Sequence, residues 1–469
     1  MPCYYAALRR ALDTSRSTWS WTFVIVLGIY LMTAHWQSGQ VNDAKAAIWP
    51  AWQLVQAGTF DLHGAPGLPN NPWFGVVDGR TVSFRTMGVI LAGIPFALVT
   101  VPFGLDPEQT SALAGATYTA AAIATMHLVF RAVADMTWAL LATTALAVGT
   151  PLWTTAAAEL WAHGPDALFL SLALLALAHN RFVLAGAAFA PAIMVRPHLA
   201  AAAACSGLLM AWARRQPIVV LQVGVPASLA LPVLYAWNGW YYGAANLGGA
   251  YQGHVGPALA APRGDNSWLF VQDAAGALLS PSVGLLLFSP LVALLLVLIP
   301  RGWAGAPPWA RASLVAAFAY QIVQLRVNRF HGGGAFYSNR LIVEFIVLSS
   351  PVWLVGLQAW VGRTGRRRTV AAALAAIGVG IHAYGAVSGY YLRGSAGDWW
   401  IWYPKVVFDA AGPAGWPTMF TLLLIPVVAV LVVRRTTGAE STAWPPAVPA
   451  DRSSARPGGP PGTAASSRH

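Results

Sequence analysis

The sequence predicts an all-α polytopic membrane protein with about 12 transmembrane helices. Hydrophobic residues make up 57% of the 469 residues and charged residues only 9%, whereas about a quarter of the residues in soluble domains are charged. The apolar runs are long enough to cross roughly 30 Å of hydrocarbon as helices. They show no alternation of apolar and polar residues, which would mark the strands of a membrane barrel.

The predicted spans follow from these apolar runs. They are 19–36, 109–131, 137–154, 164–180, 182–195, 199–213, 217–237, 283–300, 309–325, 341–361, 370–390 and 417–433. The apolar stretch 87–103 is ambiguous, because Pro95 and Pro102 interrupt it. If this stretch does not cross, the arginine clusters between later spans fall on the same side as the N-terminal arginines. It is therefore predicted to be a re-entrant or interfacial element.

This topology places both termini in the cytoplasm and four longer segments outside, where loops commonly build a site. The four segments are 37–108, 238–282, 326–340 and 391–416. Residues 1–435 form one transmembrane domain, and the Pro-, Gly- and Ser-rich residues 436–469 form a disordered cytoplasmic tail. The net charge of +12 does not indicate a nucleic-acid partner, because the basic residues occur in short clusters between spans. Arginine is abundant while lysine occurs only at Lys45 and Lys405, a bias that hints at a bacterial genome.

The first outer segment carries an acidic residue at the start of a predicted interfacial helix. Apolar residues at Ile48, Trp52 and Val55 give this helix one apolar face, and Gly58 ends it. Asp43 either caps the helix or provides a carboxylate that acts as a general base at the bilayer surface.

Arg85 follows a turn-forming Asp-Gly pair at 78–79 and precedes the ambiguous apolar stretch. Three partners are open to its side chain, namely a phosphate, a carboxylate such as Asp43, and the lipid headgroups.

Three polar residues lie just before and at the start of the predicted span 164–180. Glu159, His163 and Asp166 would share one face of a continuous helix, but Gly164-Pro165 is expected to start a new helix there. A divalent metal is possible at this position, although one histidine with two carboxylates at these spacings matches no specific ligand pattern.

Arg196 precedes a proline within a long apolar run, so the run is predicted to turn there as a helical hairpin. Its side chain binds either an anionic headgroup or an internal carboxylate. Arginines also flank three consecutive glycines at 332–334, a segment that serves either as a flexible turn or as a phosphate site. Its candidate phosphate and substrate ligands are Arg329, His331, Tyr337 and Arg340.

The order of these features resembles that of the bacterial GT-C superfamily of integral membrane glycosyltransferases. The resemblance runs from about residue 18 to 435 and rests on order and placement. Its elements are Asn42-Asp43, the DGR, TVSFRTMG and GIPF stretches, the region from Trp153 to Asp166, YYGAANLGGAYQG, GLLLFSP and HGGGAFYSNRL.

The resemblance implies an inverting transfer of a sugar from a polyprenyl-phosphate donor to a cell-envelope glycan or lipid acceptor, at the outer face of a bacterial plasma membrane. Asp43 becomes the catalytic base. A leaving lipid phosphate requires cationic stabilisation, for which the candidates are Arg340, Arg329, His331 and Arg85. The predicted substrate-binding residues are Glu159, His163, Asp166, Arg196, Tyr337 and Tyr242. No cofactor is predicted with certainty.

Two alternatives belong to other classes. A transporter or flippase of a lipid-linked saccharide would show two similar halves and ionisable residues at mid-membrane, and the sequence shows no clear internal repeat. The other alternative is a catalytically inactive scaffold of the same architecture.

Overall fold

The computed structural model describes residues 2–36, 42–65, 67–68, 73–251, 267–280, 284–328, 337–362 and 365–388. Within these residues the regular secondary structure is helical except for one two-stranded hairpin. The prediction of an all-helical, multi-pass membrane fold is confirmed. The predicted span 417–433, the outer segment 391–416 and the tail 436–469 lie outside the described residues.

The helices and strands have the following bounds. The first part of the chain contains α1 (Pro2–Thr33), α2 (Asn42–Ala57), β1 (Phe74–Val77), β2 (Arg80–Ser83), α3 (Met87–Thr100), α4 (Pro107–Arg131), α5 (Met136–Val148), α6 (His163–Ala178), α7 (Phe182–Val195), α8 (Ala200–Arg214), α9 (Ile218–Ser228) and α10 (Ala230–Tyr242). The second part contains α11 (Ser267–Leu279), α12 (Leu285–Phe288), α13 (Pro290–Val297), α14 (Ile299–Gly305), α15 (Pro308–Val327), α16 (Val343–Val361) and α17 (Gly365–Ser388).

Four helical stretches of the described residues are long and apolar enough to cross a membrane. They are Pro107–Arg131, Ile218–Tyr242, Arg340–Val361 and Gly365–Val387. Shorter apolar helices are Ser17–Thr33, Met87–Phe103, Met136–Val148, His163–Ala178, Phe182–Val195 and Phe270–Leu279. The predicted span 283–300 is not one helix, since it divides into α12, α13 and α14. Pro290 is the first residue of α13, and Pro300 is the second residue of α14. Proline has no backbone N–H to donate, so it fits the first turn of a helix and interrupts a longer one.

One end of the bundle holds the first loop. We call it the loop end, where α1, α5 and α7 finish and α6 and α16 begin. There the His35 N–H donates to the Ala158 carbonyl at 2.9 Å, and the indole N–H of Trp153 donates to Thr33 Oγ1 at 2.9 Å. These bonds connect the end of α1 to the segment between α5 and α6.

Helix α3 stays beside the first half of α4 at this loop end. The two helices are antiparallel, because the hydroxyls of Thr100 and Thr110 hydrogen-bond at 2.7 Å and the Tyr118 hydroxyl donates to the Ala92 carbonyl at 3.1 Å. The N-terminus of α3 meets the last residue of α7, where Thr86 Oγ1 donates to the Val195 carbonyl at 2.7 Å. This placement agrees with a re-entrant or interfacial role for residues 87–103.

The hairpin of β1 and β2 is a feature that the sequence analysis did not predict. The strands pair antiparallel, from Phe74 opposite Ser83 to Val77 opposite Arg80. Asp78 and Gly79 in the turn have φ values of 51° and 78°. Positive φ at both central residues is the conformation that favours Asp-Gly in tight hairpins. The hairpin leads directly into Arg85.

We predict that adding a single methyl group at Gly115 destabilises the protein. A Cβ there would lie 2.3 Å from the Glu159 carbonyl oxygen, and the neighbouring Leu160 N–H donates to Ser111 Oγ at 2.9 Å. Overpacking of this kind costs about 1–3 kcal/mol, so Gly115→Ala should lower the thermal unfolding temperature in detergent.

The matched control is Gly28→Ala, because a Cβ at Gly28 meets nothing within 4 Å. This change should leave the unfolding temperature unchanged or raise it, since alanine favours helix by about 1 kcal/mol over glycine. Equal unfolding temperatures for the two variants would contradict the close packing of α4 against the segment before α6.

Candidate functional site

Asp43 and Arg340 form an ion pair at the loop end. Asp43 lies in the first turn of α2, where the helix dipole favours an anion, and it is 6% exposed. Arg340 Nη1 donates to Asp43 Oδ2 at 2.7 Å across a sequence separation of 297 residues. The start of α2 is thereby fixed to the start of α16.

Arg85 approaches the same carboxylate oxygen without hydrogen-bonding to it. Its Nη1 lies 3.7 Å from Asp43 Oδ2, and its guanidinium lies 5.0 Å from the centroid of the Trp73 ring. The Tyr242 hydroxyl donates to the backbone carbonyl of Arg85. The Nε of Arg85 is buried and has no hydrogen-bond partner among the described residues, so this arginine retains donors for a ligand.

Trp161 supports the other arginine. The Arg340 guanidinium lies 4.4 Å from the centroid of the Trp161 ring, and Trp161 is 2% exposed. A buried ring face attracts a cation through its quadrupole. Arg340 is therefore oriented by an aromatic ring as well as by a carboxylate.

The charge state of Asp43 follows from these contacts. Burial raises the pKa of the carboxyl, but the charges of Arg340 and Arg85 and the hydrogen bond from Arg340 outweigh burial. The net result is a pKa below the ordinary value. Asp43 is thus ionised at neutral pH, and its Oδ2 faces two arginines.

A second cluster of charged residues is buried beside the first. Arg196 follows α7, as the predicted hairpin turn requires, and its Nε lies 3.3 Å from Asp166 Oδ2 and 3.5 Å from Glu344 Oε1. His163 Nδ1 lies 2.8 Å from the same Glu344 oxygen. The sequence left either an anionic headgroup or an internal carboxylate as the partner of Arg196, and in the structure its partners are internal carboxylates.

Three further polar residues complete this cluster. The Tyr320 hydroxyl donates to Glu344 Oε2 at 3.0 Å, and Arg196 Nη1 donates to Gln324 Oε1 at 3.0 Å. The His198 ring lies 2.6 Å, through Nε2, from the same Gln324 oxygen. Glu344, Tyr320 and Gln324 were not predicted as site residues. An ionisable residue inside the predicted span 341–361 was the available signal for Glu344.

Glu159 lies with His35 at the loop end. His35 Nδ1 is 4.0 Å from Glu159 Oε1. Burial lowers the pKa of His35 to about 4, so this histidine is neutral at pH 7 and the contact is not an ion pair. A new helix begins here, as the sequence predicts, although at His163 and not at Gly164. His163 and Asp166 lie on its first turn, in the second cluster.

The two predicted substrate-binding tyrosines make internal hydrogen bonds. Besides the bond from Tyr242 to Arg85, the Tyr337 hydroxyl donates to the Ile381 carbonyl at 3.0 Å, and the Tyr337 carbonyl accepts from Thr155 Oγ1 at 3.2 Å. Arg329 and His331 lie outside the described residues. Among the residues that the structure describes, no group of three His, Cys, Asp or Glu side chains is arranged to hold a metal ion.

No protein-family model and no curated protein sequence matches the chain. Among solved structures, the fold is similar to a crystal structure of ArnT from Cupriavidus metallidurans bound to undecaprenyl phosphate. The match covers 90% of this chain and 79% of that chain, with a TM-score of 0.46 and 16% sequence identity. Because the TM-score and the sequence identity are both low, the chemistry of the site is argued from the residues of this chain alone.

We predict that Arg196 and Glu344 are energetically coupled. Glu344→Gln leaves Arg196 buried with less compensating charge, and breaking a buried pair from one side costs about 3–5 kcal/mol. The double variant Arg196→Gln, Glu344→Gln should lose less stability than the sum of the two single variants. Urea unfolding of purified protein in mild detergent measures the loss in free energy of unfolding for the two single variants and the double variant.

The control is Glu108→Gln, which removes the partner of Lys45 at 3.8 Å, in a pair where both side chains are 15% exposed. It should cost less than Glu344→Gln, whose carboxylate is fully buried. Additive losses in the Arg196–Glu344 cycle would show that the two groups do not interact.

Proposed function

We propose that the protein is a membrane glycosyltransferase that moves a sugar from a polyprenyl-phosphate donor to a cell-envelope glycan or lipid acceptor. The reaction would take place at the outer face of a bacterial plasma membrane, with both termini in the cytoplasm. One observation carries the proposal, namely a buried, ionised Asp43 that faces the guanidinium groups of Arg340 and Arg85. The sequence resemblance to the GT-C superfamily independently assigns the base to the same position.

In the proposed reaction Asp43 acts as general base. An acceptor hydroxyl loses its proton to the Asp43 carboxylate as its oxygen attacks the anomeric carbon of the donor sugar. The bond from that carbon to the phosphate oxygen breaks, and the lipid phosphate leaves with the electron pair. Attack on the face opposite the leaving group inverts the anomeric configuration.

The two arginines would bind the donor phosphate. Planar guanidinium groups match phosphate oxygens and stabilise the negative charge that grows on the leaving group. Arg85 suits this role because its guanidinium does not hydrogen-bond to any described side chain. Arg329 and His331 remain proposed phosphate ligands on the strength of the sequence alone.

Donor binding would also activate the base. In the free protein the arginines lower the pKa of Asp43, which makes the carboxylate a weak proton acceptor. A bound phosphate would neutralise part of the arginine charge and so raise this pKa toward the range in which a general base is effective. Binding and activation are thereby linked through the same side chains.

The second cluster would position the site. Glu344 lies one helical turn after Arg340, so the bonds of His163 and Arg196 to Glu344 hold the start of α16 in place. Asp166 and Glu344 occupy the first turns of their helices. This position at helix ends favours an enzyme over a transporter, which would place ionisable residues at mid-membrane.

We predict that Asp43→Asn abolishes transfer without unfolding the protein. Loss of a general base typically costs 10²–10⁴-fold in rate, and asparagine retains the size of the side chain. The assay uses membranes that contain labelled polyprenyl-phosphate sugars, and it is paired with the thermal unfolding temperature of the purified variant.

Asp135→Asn is the matched control, because Asp135 is an exposed cap at the start of α5 whose oxygen accepts from the Trp138 N–H. Asparagine can accept the same bond, so transfer should equal that of the unmodified protein. Normal turnover by Asp43→Asn would remove Asp43 from the mechanism.

The pH dependence should differ between the free protein and the donor complex. The acidic limb of kcat/KM for the donor reports the free protein, where the pKa of Asp43 is lowered, and the acidic limb of kcat reports the complex. Because phosphate binding raises this pKa, kcat should begin to fall at a higher pH than kcat/KM as the pH is lowered. Coincident acidic limbs would contradict the activation of Asp43 by the donor.

A further inference from the structure

A small cavity lies at the loop end, apart from the residues that contact Asp43. Its volume is about 170 Å³, and its walls come from the end of α2, the loop that follows, the start of β2 and the end of α10. Pockets for drug-sized ligands measure about 300–1,000 Å³. This cavity therefore suits one small ring and is too small for a lipid chain.

Aromatic side chains form one wall of the cavity. Trp240 is 52% exposed, whereas its neighbour Tyr241 is 1% exposed. The Phe60 ring centroid lies 6.1 Å from that of Trp240, and Trp237 contacts Trp240 edge-on at 5.2 Å. The Trp240 ring is thus held from behind while part of its surface stays open to a ligand.

Polar groups of opposite charge complete the cavity. Asp61 Oδ1 accepts from the backbone N–H groups of His63 and Thr81, both at 2.9 Å. The other carboxylate oxygen has no hydrogen-bond partner among the described residues. Arg80 Nη2 donates to the Trp240 carbonyl at 2.7 Å, and its guanidinium lies 5.5 Å from the Trp240 ring centroid.

These features select a class of ligand. A carboxylate oxygen accepts and a guanidinium donates, and adjacent sugar hydroxyls can do both, while the apolar face of a sugar ring packs on an aromatic side chain. A phosphate would be repelled by Asp61, and a hydrocarbon chain would leave both charged groups without partners.

We propose that this cavity binds one neutral sugar ring of the acceptor saccharide. The assignment of the ring to the acceptor rests on the proposed function. From Arg80, β2 leads to Arg85 within five residues, and a fully extended chain of that length spans about 18 Å. The Ser83 N–H donates to the Tyr241 hydroxyl at 3.4 Å, so the hairpin and α10 hold the cavity at a fixed distance from Asp43.

The first test measures binding in the absence of a donor. Full-length protein in nanodiscs is titrated with neutral arabino-, galacto- and manno-oligosaccharides, and saturation-transfer NMR detects the rings that contact protein. At least one series should bind, and Trp240→Ala and Asp61→Asn should each weaken that binding tenfold or more. Asparagine at 61 keeps the oxygen that accepts from the backbone, so the loop should stay folded.

Two further variants keep the test decisive. Trp212→Ala removes an 80% exposed tryptophan from the far end of α8 and should bind as the unmodified protein does. Trp240→Phe retains an aromatic face and should bind with intermediate affinity, which separates ring contact from misfolding. Absence of binding by all three series, or normal binding by Trp240→Ala, would overturn the proposal.

The second test separates this proposal from the proposed function. Asp43→Asn should bind saccharide normally while losing transfer, and Trp240→Ala should raise the KM for the acceptor with little change in the KM for the donor. Saccharide binding together with an active Asp43→Asn would refute the catalytic proposal alone. If Asp43→Asn is inactive but the unmodified protein binds no saccharide, the proposal for the cavity alone would be refuted.

Discussion

The placement of positive charge inside an apolar bundle constrains the rest of this structure. The side chains of Arg340 and Arg196 are only 14% and 11% exposed, and removing an ion from water costs several kcal/mol unless it is paired. Asp43 supplies the partner for Arg340, and Asp166 and Glu344 supply partners for Arg196. Because these carboxylates come from α2, α6 and α16, the need for charge pairing fixes the relative positions of three helices that are distant in sequence.

The two clusters are mechanically linked through the start of α16. Arg340 and Glu344 are separated by one turn. Trp161, just before α6, lies beneath the Arg340 guanidinium, and His163, the first residue of α6, lies beside the Glu344 carboxylate. A shift of α16 would therefore disturb both contacts together. The second cluster therefore holds the turn of α16 that follows Arg340.

Local sequence patterns predicted local features of the backbone. The pairing of charged side chains, in contrast, could be seen only in the structure. Proline after Arg196 marked a hairpin turn, and Gly58 marked the end of α2, because each acts on the adjacent backbone. Glu344 was missed as the partner of Arg196 because a single acid in an apolar run has no periodicity that identifies its contact. The strands of the hairpin were missed because each has only four residues, too few for an alternating pattern to stand out. That Asp43 and Arg340 meet depends on how the whole bundle packs.

The unequal distances of the two arginines from Asp43 suggest an order of events in the proposed reaction. Arg340 donates a hydrogen bond at 2.7 Å, whereas Arg85 at 3.7 Å lies beyond hydrogen-bond range of the same oxygen. Moving Arg85 toward a phosphate therefore breaks no hydrogen bond from its side chain to Asp43, while moving Arg340 breaks one and also weakens its contact with Trp161. Arg85 would engage the donor first, and Arg340 would keep the carboxylate oriented until the phosphate is in place. The base would thus be released only when a donor is already bound.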